Sequence, residues 1–468
     1  MDELSTYVHS TDKSWNKLLA STETGIDWMP IGYFAIIWSI DQVFGINQTT
    51  LRLPNIFFLV FGFVIVYKIL SEIFGHLPSF VGIMTVFSHS LLFPFILVEA
   101  RPYCFYLLSA SILLWAIFRV LRSTPKKFSW LLYFSNILCP FVFYIGGVYC
   151  AATVFAYLIF AKVNNIKSKC IIYSSLTGWI TYSILFLPTF YLQMRETRTN
   201  IDSNSINIHE LFALYGNFIY FPVSLLLIFG LITLNHQRKT KLSSLSKHDN
   251  EINNHKEISL ILFISVHWIF IPIILFIVGK ITYSNFLQSR YFTPNLIAYS
   301  VLISFFSWLF FKHYKINKFL LNSYILACIC LLFLNSYSLG KAFSHKTVKN
   351  ELEFLKTYET TPVMTLNMFI AFHITKYHSN EVIFVVGDEF HANYMSKFSS
   401  KYKVLSLFSK QSSPFNIKNI HREDKIILIP GNIPFDTENF INRFGYKIVS
   451  KTKLDCIEAN YAFYLVRG

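Results

Sequence analysis

Long apolar runs constrain the fold of this chain more than any other feature. The runs are about 17 to 24 residues long, which is the length that crosses the hydrocarbon core of a bilayer as a helix. Charged residues make up only 14% of the 468 residues, against roughly 25% in an ordinary soluble domain. This composition excludes a wholly soluble globular protein. It also excludes a disordered chain, which needs low hydrophobicity and high net charge.

The pattern predicts an all-α polytopic membrane protein with a C-terminal α/β soluble domain. Residues 1–53 are predicted to form an external acidic loop with an interfacial or re-entrant segment, followed by a transmembrane domain over 54–339. The transmembrane domain should contain about ten helices, and an extracytoplasmic α/β domain should follow over 340–468. The ten predicted spans are 54–73, 80–97, 103–121, 129–145, 147–161, 171–191, 211–234, 258–279, 291–311 and 319–339.

The distribution of basic residues predicts the orientation of these spans. If the loop before residue 54 is external, the cytoplasmic loops carry 15 Lys and Arg residues and the opposite loops carry 5. Cytoplasmic loops are enriched in Lys and Arg, so this orientation is favoured. An even number of spans then places both the N-terminal segment and 340–468 outside the cytoplasm. The apolar stretch 29–45 should lie at the interface or re-enter the membrane, because a further span would break this parity.

The C-terminal segment alternates short apolar strands with helical patterns, which is typical of a small, mostly parallel sheet. A helix is predicted over 362–376 in this segment. The predicted strands are 381–387, 403–408, 425–429, 446–451 and 461–466. The net charge of +15 does not indicate a nucleic-acid partner, because no basic stripe lies on a soluble face.

Charged side chains on the predicted outer side form the candidate site. Asp2 and Glu3 are adjacent acids, Glu99 and Arg101 lie in a loop between two spans, and Arg290 lies where another span begins. An ionisable residue at membrane depth is costly and is a functional candidate by default. This set suits a reaction in which a carboxylate removes a proton while guanidinium groups hold an anionic leaving group.

A purely structural interpretation of the same residues stays open. Arg290 could extend to the interface from the end of a span, as long basic side chains commonly do. Glu99 and Arg101 could form a local ion pair. Asp2 stands beside the first residue of the sequence, where disorder is the usual state.

Five short motifs, in order along the chain, resemble those of bacterial-type GT-C-fold glycosyltransferases. The resemblance is to the superfamily of dolichyl-phosphate-mannose protein mannosyltransferases and aminoarabinose transferases, and it covers roughly residues 1–340. The motifs are Asp2-Glu3 with Tyr7, 27–33 (DWMPIGY), 44–45 (FG) with 51–54 (LRLP), 99–103 (EARPY), and 290–292 (RYF) with Pro294.

This resemblance implies a role for each matched position. Asp2 would be the general base that deprotonates an acceptor hydroxyl, with Glu3 in support. Arg101 and Arg290 would bind the phosphate of a polyprenyl-phosphate sugar, and the sugar would be transferred with inversion. The implied supporting residues are Glu99, Tyr103, Tyr7 and Tyr291.

The resemblance also implies partners and a location. The protein would act in a lipid bilayer, in a bacterial inner (plasma) membrane, on a glycan, lipid or protein acceptor. No cofactor and no metal ligand is firmly implied, although the acids at 2, 3 and 99 leave a divalent cation open. Members of the family have a transmembrane helix before the acidic motif, so we expect that this first helix is missing here, either by truncation or by a late start.

Two other interpretations follow from the same features. A transporter or flippase of lipid-linked saccharides would also be polytopic, but such proteins tend to show internal repeats, and the sequence has none. A catalytically inactive truncated homologue would follow from the missing first helix.

Overall fold

The computed structural model describes most of the helical segments and the strands of the C-terminal sheet. By residue contacts the chain divides into two compact units, Gly25–Tyr337 and Met1–Thr24 with Ser338–Gly468. The described residues are Thr6, Ser10, 14–22, 29–45, 48–90, 92–93, 96, 99–123, 128–197, 208–218, 249–282, 287–313, 318–344, 353–358, 361–365, 382–386, 403–406, 425–429, 446–456 and 459–467.

Helices make up almost all of the first unit, and the prediction of a polytopic helical membrane protein is confirmed. The α-helices of the described residues are α1 (Trp15–Thr22), α2 (Ile31–Phe44), α3 (Gln48–Phe74), α4 (His76–His89), α5 (Tyr103–Ser123), α6 (Trp130–Val142), α7 (Gly146–Val163), α8 (Lys169–Thr197), α9 (Ile208–Phe218), α10 (Asp249–Thr282), α11 (Asn295–His313) and α12 (Lys318–Ser344). Among the described residues, six helices are long and apolar enough to cross a membrane, namely α3, α5, α7, α8, α10 and α11. The predicted span 211–234 falls within the described residues only as far as the end of α9.

Helix α2 occupies the stretch that was predicted to be interfacial or re-entrant. It has 14 residues, begins after Pro30 and ends at Gly45, whose φ of 69° favours a residue without a side chain. At about 1.5 Å per residue its length is about 21 Å, which is short of a hydrocarbon core about 30 Å thick. Tyr33, Phe34 and Ile37 are at most 1% exposed, so one face of the helix is buried.

Helices α4 and α11 pack in direct backbone contact. A Cβ added to Gly82 of α4 would lie 2.7 Å from the Ser304 amide nitrogen and 2.8 Å from the Ser300 carbonyl oxygen of α11. Small residues allow such close approach in membranes, where van der Waals packing drives helix association. Helix α12 is joined to α4 by a hydrogen bond of 2.7 Å between the Thr85 and Tyr324 hydroxyls.

A charged cluster joins three helices at the end that is predicted to be cytoplasmic. Arg122, in the last turn of α5, donates to both carboxylate oxygens of Glu257 on α10, at 2.8 and 2.9 Å. It also pairs with Glu72 of α3. Its guanidinium carbon lies 4.2 Å from the centre of the Phe118 ring. The fork of donors on one arginine therefore joins α3, α5 and α10.

The second unit contains a six-stranded sheet in the order β3-β2-β1-β4-β6-β5. Strands β3, β2, β1 and β4 run parallel to one another, whereas β6 pairs antiparallel with β4 and β5. The strands are β1 (Val363–Thr365), β2 (Val382–Val386), β3 (Lys403–Ser406), β4 (Lys425–Ile429), β5 (Tyr446–Cys456) and β6 (Ala459–Arg467). The α/β prediction is confirmed.

The helix predicted over 362–376 is wrong where it overlaps the described residues. Val363–Thr365 is strand β1, which lies between β2 and β4. A short apolar run does not by itself distinguish a strand from a buried helix, and here two parallel neighbours supply the backbone hydrogen bonds of a strand. Residues 366–376 lie outside the described residues.

Candidate active site

Two predicted site residues from distant parts of the sequence meet in the structure. The Arg290 Nη1 atom lies 3.9 Å from the Glu99 Oε2 atom, and the two side chains are 24% and 16% exposed. Glu99 precedes α5, and Arg290 lies in the 3-10 turn Ser289–Phe292 that precedes α11. The Arg290 Nε–H donates to Gln288 Oε1 at 2.9 Å, which fixes the direction of the guanidinium group. A carboxylate and a guanidinium group thus face each other at the N-terminal ends of α5 and α11.

Arg101 lies in the same loop and is almost fully buried. Its side chain is 5% exposed, and its backbone N–H donates to the Glu99 carbonyl at 2.9 Å. The Nη1 atom lies 3.8 Å from the sulfur of Met29, which belongs to the 27–33 motif. A guanidinium group this deeply buried carries a large desolvation cost, which binding of an anion would offset.

Aromatic rings surround the guanidinium group of Arg290. Its central carbon lies 5.9 Å from the Tyr103 ring centre and 6.0 Å from that of Tyr291. The Phe143 ring packs against both tyrosines, at 6.1 Å from Tyr103 and 5.1 Å from Tyr291. Two of the three implied supporting tyrosines therefore lie beside Arg290, in the range of cation–π interactions.

Asn55 is a site residue that the sequence analysis missed. It is fully buried, accepts a hydrogen bond from the Tyr33 hydroxyl at 3.1 Å, and donates to the Glu99 carbonyl at 2.5 Å. These two bonds join α2 and α3 to the loop that carries Glu99 and Arg101. The signal in the sequence was a lone amide directly after the 51–54 motif, at the start of an apolar run.

A second buried amide, Gln193, supports the start of α2. It is 2% exposed, donates to the Met29 carbonyl at 3.4 Å and accepts from the Tyr144 hydroxyl at 2.5 Å.

The 27–33 motif requires a glycine at position 32 because of its close contact with α6. A Cβ on Gly32 would lie 2.4 Å from the Phe141 carbonyl oxygen. The motif thus packs against α6 without side-chain bulk and holds Met29 beside Arg101.

A cavity of about 430 Å³ adjoins Arg290. Its wall is formed by the first turns of α9, including Glu210 and Leu214, and by the segment from Leu287 to Arg290. The volume falls within the roughly 300–1,000 Å³ that is typical of small-molecule sites.

Three of the predicted site residues lie outside the described residues: Asp2, Glu3 and Tyr7. The implied general base therefore stays a prediction from the sequence. Among the described residues, no group of three or more His, Cys, Asp or Glu side chains could hold a metal ion. A cation held by Asp2 or Glu3 also stays untested.

The chain is similar in structure to two crystal structures of one protein, ArnT. ArnT from Cupriavidus metallidurans, in a crystal structure bound to undecaprenyl phosphate, matches with a TM-score of 0.56 and 11% identity over 99% of this chain and 93% of that chain. ArnT from the same organism in the apo state matches with a TM-score of 0.44 and 9% identity, over 99% and 92% of the two chains. No protein-family model and no curated protein matches the sequence. The first match shows that the chain has the GT-C fold that its motifs predicted.

Proposed function

We propose that this protein is an inverting membrane glycosyltransferase that moves a sugar from a polyprenyl-phosphate donor to an acceptor hydroxyl. The observation that carries the proposal is the pairing of Glu99 with Arg290 at the N-terminal ends of α5 and α11, with Arg101 bonded through its backbone to Glu99. The ArnT structure of the same fold is bound to undecaprenyl phosphate, which supports a donor of this class. The reaction would take place on the extracytoplasmic face of a bacterial inner membrane.

The two arginines would bind the donor phosphate. Charge-assisted bonds from guanidinium to phosphate are short, strong and often bidentate. When the bond between the anomeric carbon and the phosphate oxygen breaks, that oxygen keeps the electron pair, and the phosphate gains negative charge. Arg290 and Arg101 would stabilise this charge from fixed positions, which is the kind of contribution that lowers a barrier most. Glu99 would hold Arg290 in place.

The acceptor hydroxyl would attack the anomeric carbon from the opposite face, and this inverts its configuration. Its proton would pass to Asp2, which the acidic motif of the sequence assigns as general base, with Glu3 and Tyr7 in support. The products are a new glycosidic bond and a free polyprenyl phosphate, so atoms and charges balance without any oxidant or reductant.

Purified protein in liposomes tests this proposal. The donor would be undecaprenyl phosphate carrying a radiolabelled sugar, and the acceptors would be a lipid-linked glycan, a lipopolysaccharide fragment and a protein. Label should move into one acceptor class in the wild type. Arg290→Ala should slow transfer about 100-fold or more, as the loss of one transition-state donor does elsewhere, and Asp2→Asn should abolish transfer while insertion stays intact.

Arg119→Ala is the matched control, because Arg119 stacks on Trp115 of the same helix at a distance of 5.7 Å and lies in α5, away from Glu99. Wild-type transfer by the Asp2→Asn variant would exclude Asp2 as the base. Passage of the intact donor across the bilayer with no new glycosidic bond would favour a transporter. The absence of both transfer and transport would favour an inactive homologue.

A further inference from the structure

The cavity beside Arg290 is lined by polar side chains that have no role in the proposed binding of the donor phosphate. Glu210, in the first turn of α9, contributes a carboxylate, and Gln288 and Ser289 contribute an amide and a hydroxyl. Leu214 and Leu287 contribute apolar surface. A mostly apolar wall with a few placed polar groups is typical of sites for small polar ligands.

The wall that carries Glu210 is a fixed element. Leu211 and Leu214, in the same helical turns, are 9% and 2% exposed. The Tyr215 hydroxyl donates to the Ile269 carbonyl at 2.6 Å and so holds α9 against α10. On the opposite wall, the bond from Arg290 Nε–H to Gln288 Oε1 fixes both side chains, and the amide nitrogen of Gln288 carries two further donors.

We propose that this cavity binds the sugar of the donor, with Glu210 accepting hydrogen bonds from its hydroxyl or amino groups. The inference rests on the proposed function, in which Arg290 binds the donor phosphate. The sugar is joined to that phosphate through a single bridging oxygen, so a phosphate at Arg290 places the sugar in the adjoining cavity. An ionised carboxylate has acceptor sites for two neighbouring hydroxyls at once, and it pairs equally well with a protonated amine. Leu214 and Leu287 would contact the apolar C–H groups of the sugar ring.

A binding experiment separates the sugar contact from the phosphate contact. Detergent-solubilised protein would be titrated with undecaprenyl phosphate alone, and with undecaprenyl phosphate carrying glucose, mannose or aminoarabinose. For the sugar-bearing lipid that the wild type binds most tightly, Glu210→Ala should weaken binding about tenfold or more, since a hydrogen bond to a charged group is lost. Binding of undecaprenyl phosphate alone should stay unchanged.

The matched control is His209→Ala, because His209 is the exposed neighbour of Glu210 and does not line the cavity. Its affinity for both lipids should equal that of the wild type. The inference is overturned if Glu210→Ala binds the sugar-bearing lipid as tightly as the wild type, or if it loses affinity equally for both lipids. It is also overturned if the variant only raises the KM for the acceptor, because the cavity would then receive the acceptor. A wild type that binds neither lipid would instead contradict the proposed function.

Discussion

Replacing Gly82 with Ala would test whether the close contact of α4 with α11 positions the candidate site. The new Cβ would lie 2.1 Å from the Ser304 Oγ, 2.7 Å from the Ser304 amide nitrogen and 2.8 Å from the Ser300 carbonyl oxygen. The hydroxyl can rotate away, but the two backbone atoms cannot. To reach an ordinary separation of about 3.5 Å, the helices must move apart by about 0.8 Å.

The expected cost follows from this overlap. Overpacking a close-packed interface typically costs about 1–3 kcal/mol. Exchanging Gly for Ala in a helix interior also favours the helix by about 1 kcal/mol, so the variant needs a control that also exchanges Gly for Ala in a helix. Gly147→Ala is that control, because its Cβ would meet only Pro140 Cβ, at 3.7 Å. We therefore expect Gly82→Ala to be less stable than Gly147→Ala by about 1–3 kcal/mol.

Thermal unfolding in detergent measures the first part of this prediction, and sugar transfer measures the second. Helix α4 precedes the loop that carries Glu99, and α11 follows Arg290. A displacement near 1 Å at reacting groups can lower a rate about 100-fold, so Gly82→Ala should also transfer more slowly than Gly147→Ala. Equal unfolding midpoints and equal rates for the two variants would refute the reasoning, because the helices would then have room for a methyl group.

Three further substitutions test other contacts of the structure. Arg122→Lys should lower the unfolding midpoint almost as far as Arg122→Ala, because an ammonium group cannot make the paired bonds to Glu257; wild-type stability of the Lys variant would contradict this. Asn55→Ala should slow transfer about tenfold at unchanged membrane yield, since the Glu99 carbonyl loses one of its two donors and α3 is no longer bonded to that loop, and an unchanged rate would show that Asn55 does not hold the loop. Gln193→Leu should destabilise the protein by about 1–3 kcal/mol in the same unfolding assay, because the Met29 carbonyl loses its donor in a buried place; a midpoint equal to that of the wild type would argue against this bond.

The helices and strands that could be predicted from the sequence are those whose extent follows from the length of a continuous apolar run. Helix α3 was predicted over 54–73 and is observed over Gln48–Phe74, so that Pro54 lies inside the helix and not at its start. Strand β4 coincides with the predicted 425–429. In both cases a continuous apolar run is bounded by polar residues, and this signal requires no knowledge of neighbouring elements.

The contacts between helices could not be predicted in the same way. Asn55 and Gly82 lie in helices that are apolar on all sides, so no periodic pattern shows which face meets a neighbour. The rotation of each helix about its axis then depends on packing that one sequence does not display. Glu99 and Arg290 were found because a charge in an apolar chain is conspicuous on any face.

The uncharged contacts have a larger part in building the site than the charged pair itself. The Glu99–Arg290 pair is partly exposed at 3.9 Å, and such pairs contribute about 0–1 kcal/mol. Adding a methyl group at Gly82, or removing the buried bonds of Asn55, is each expected to cost about 1–3 kcal/mol. A weak pair cannot impose a position on two helix ends that stronger contacts already fix. The neutral residues therefore set the distance between the two charged groups.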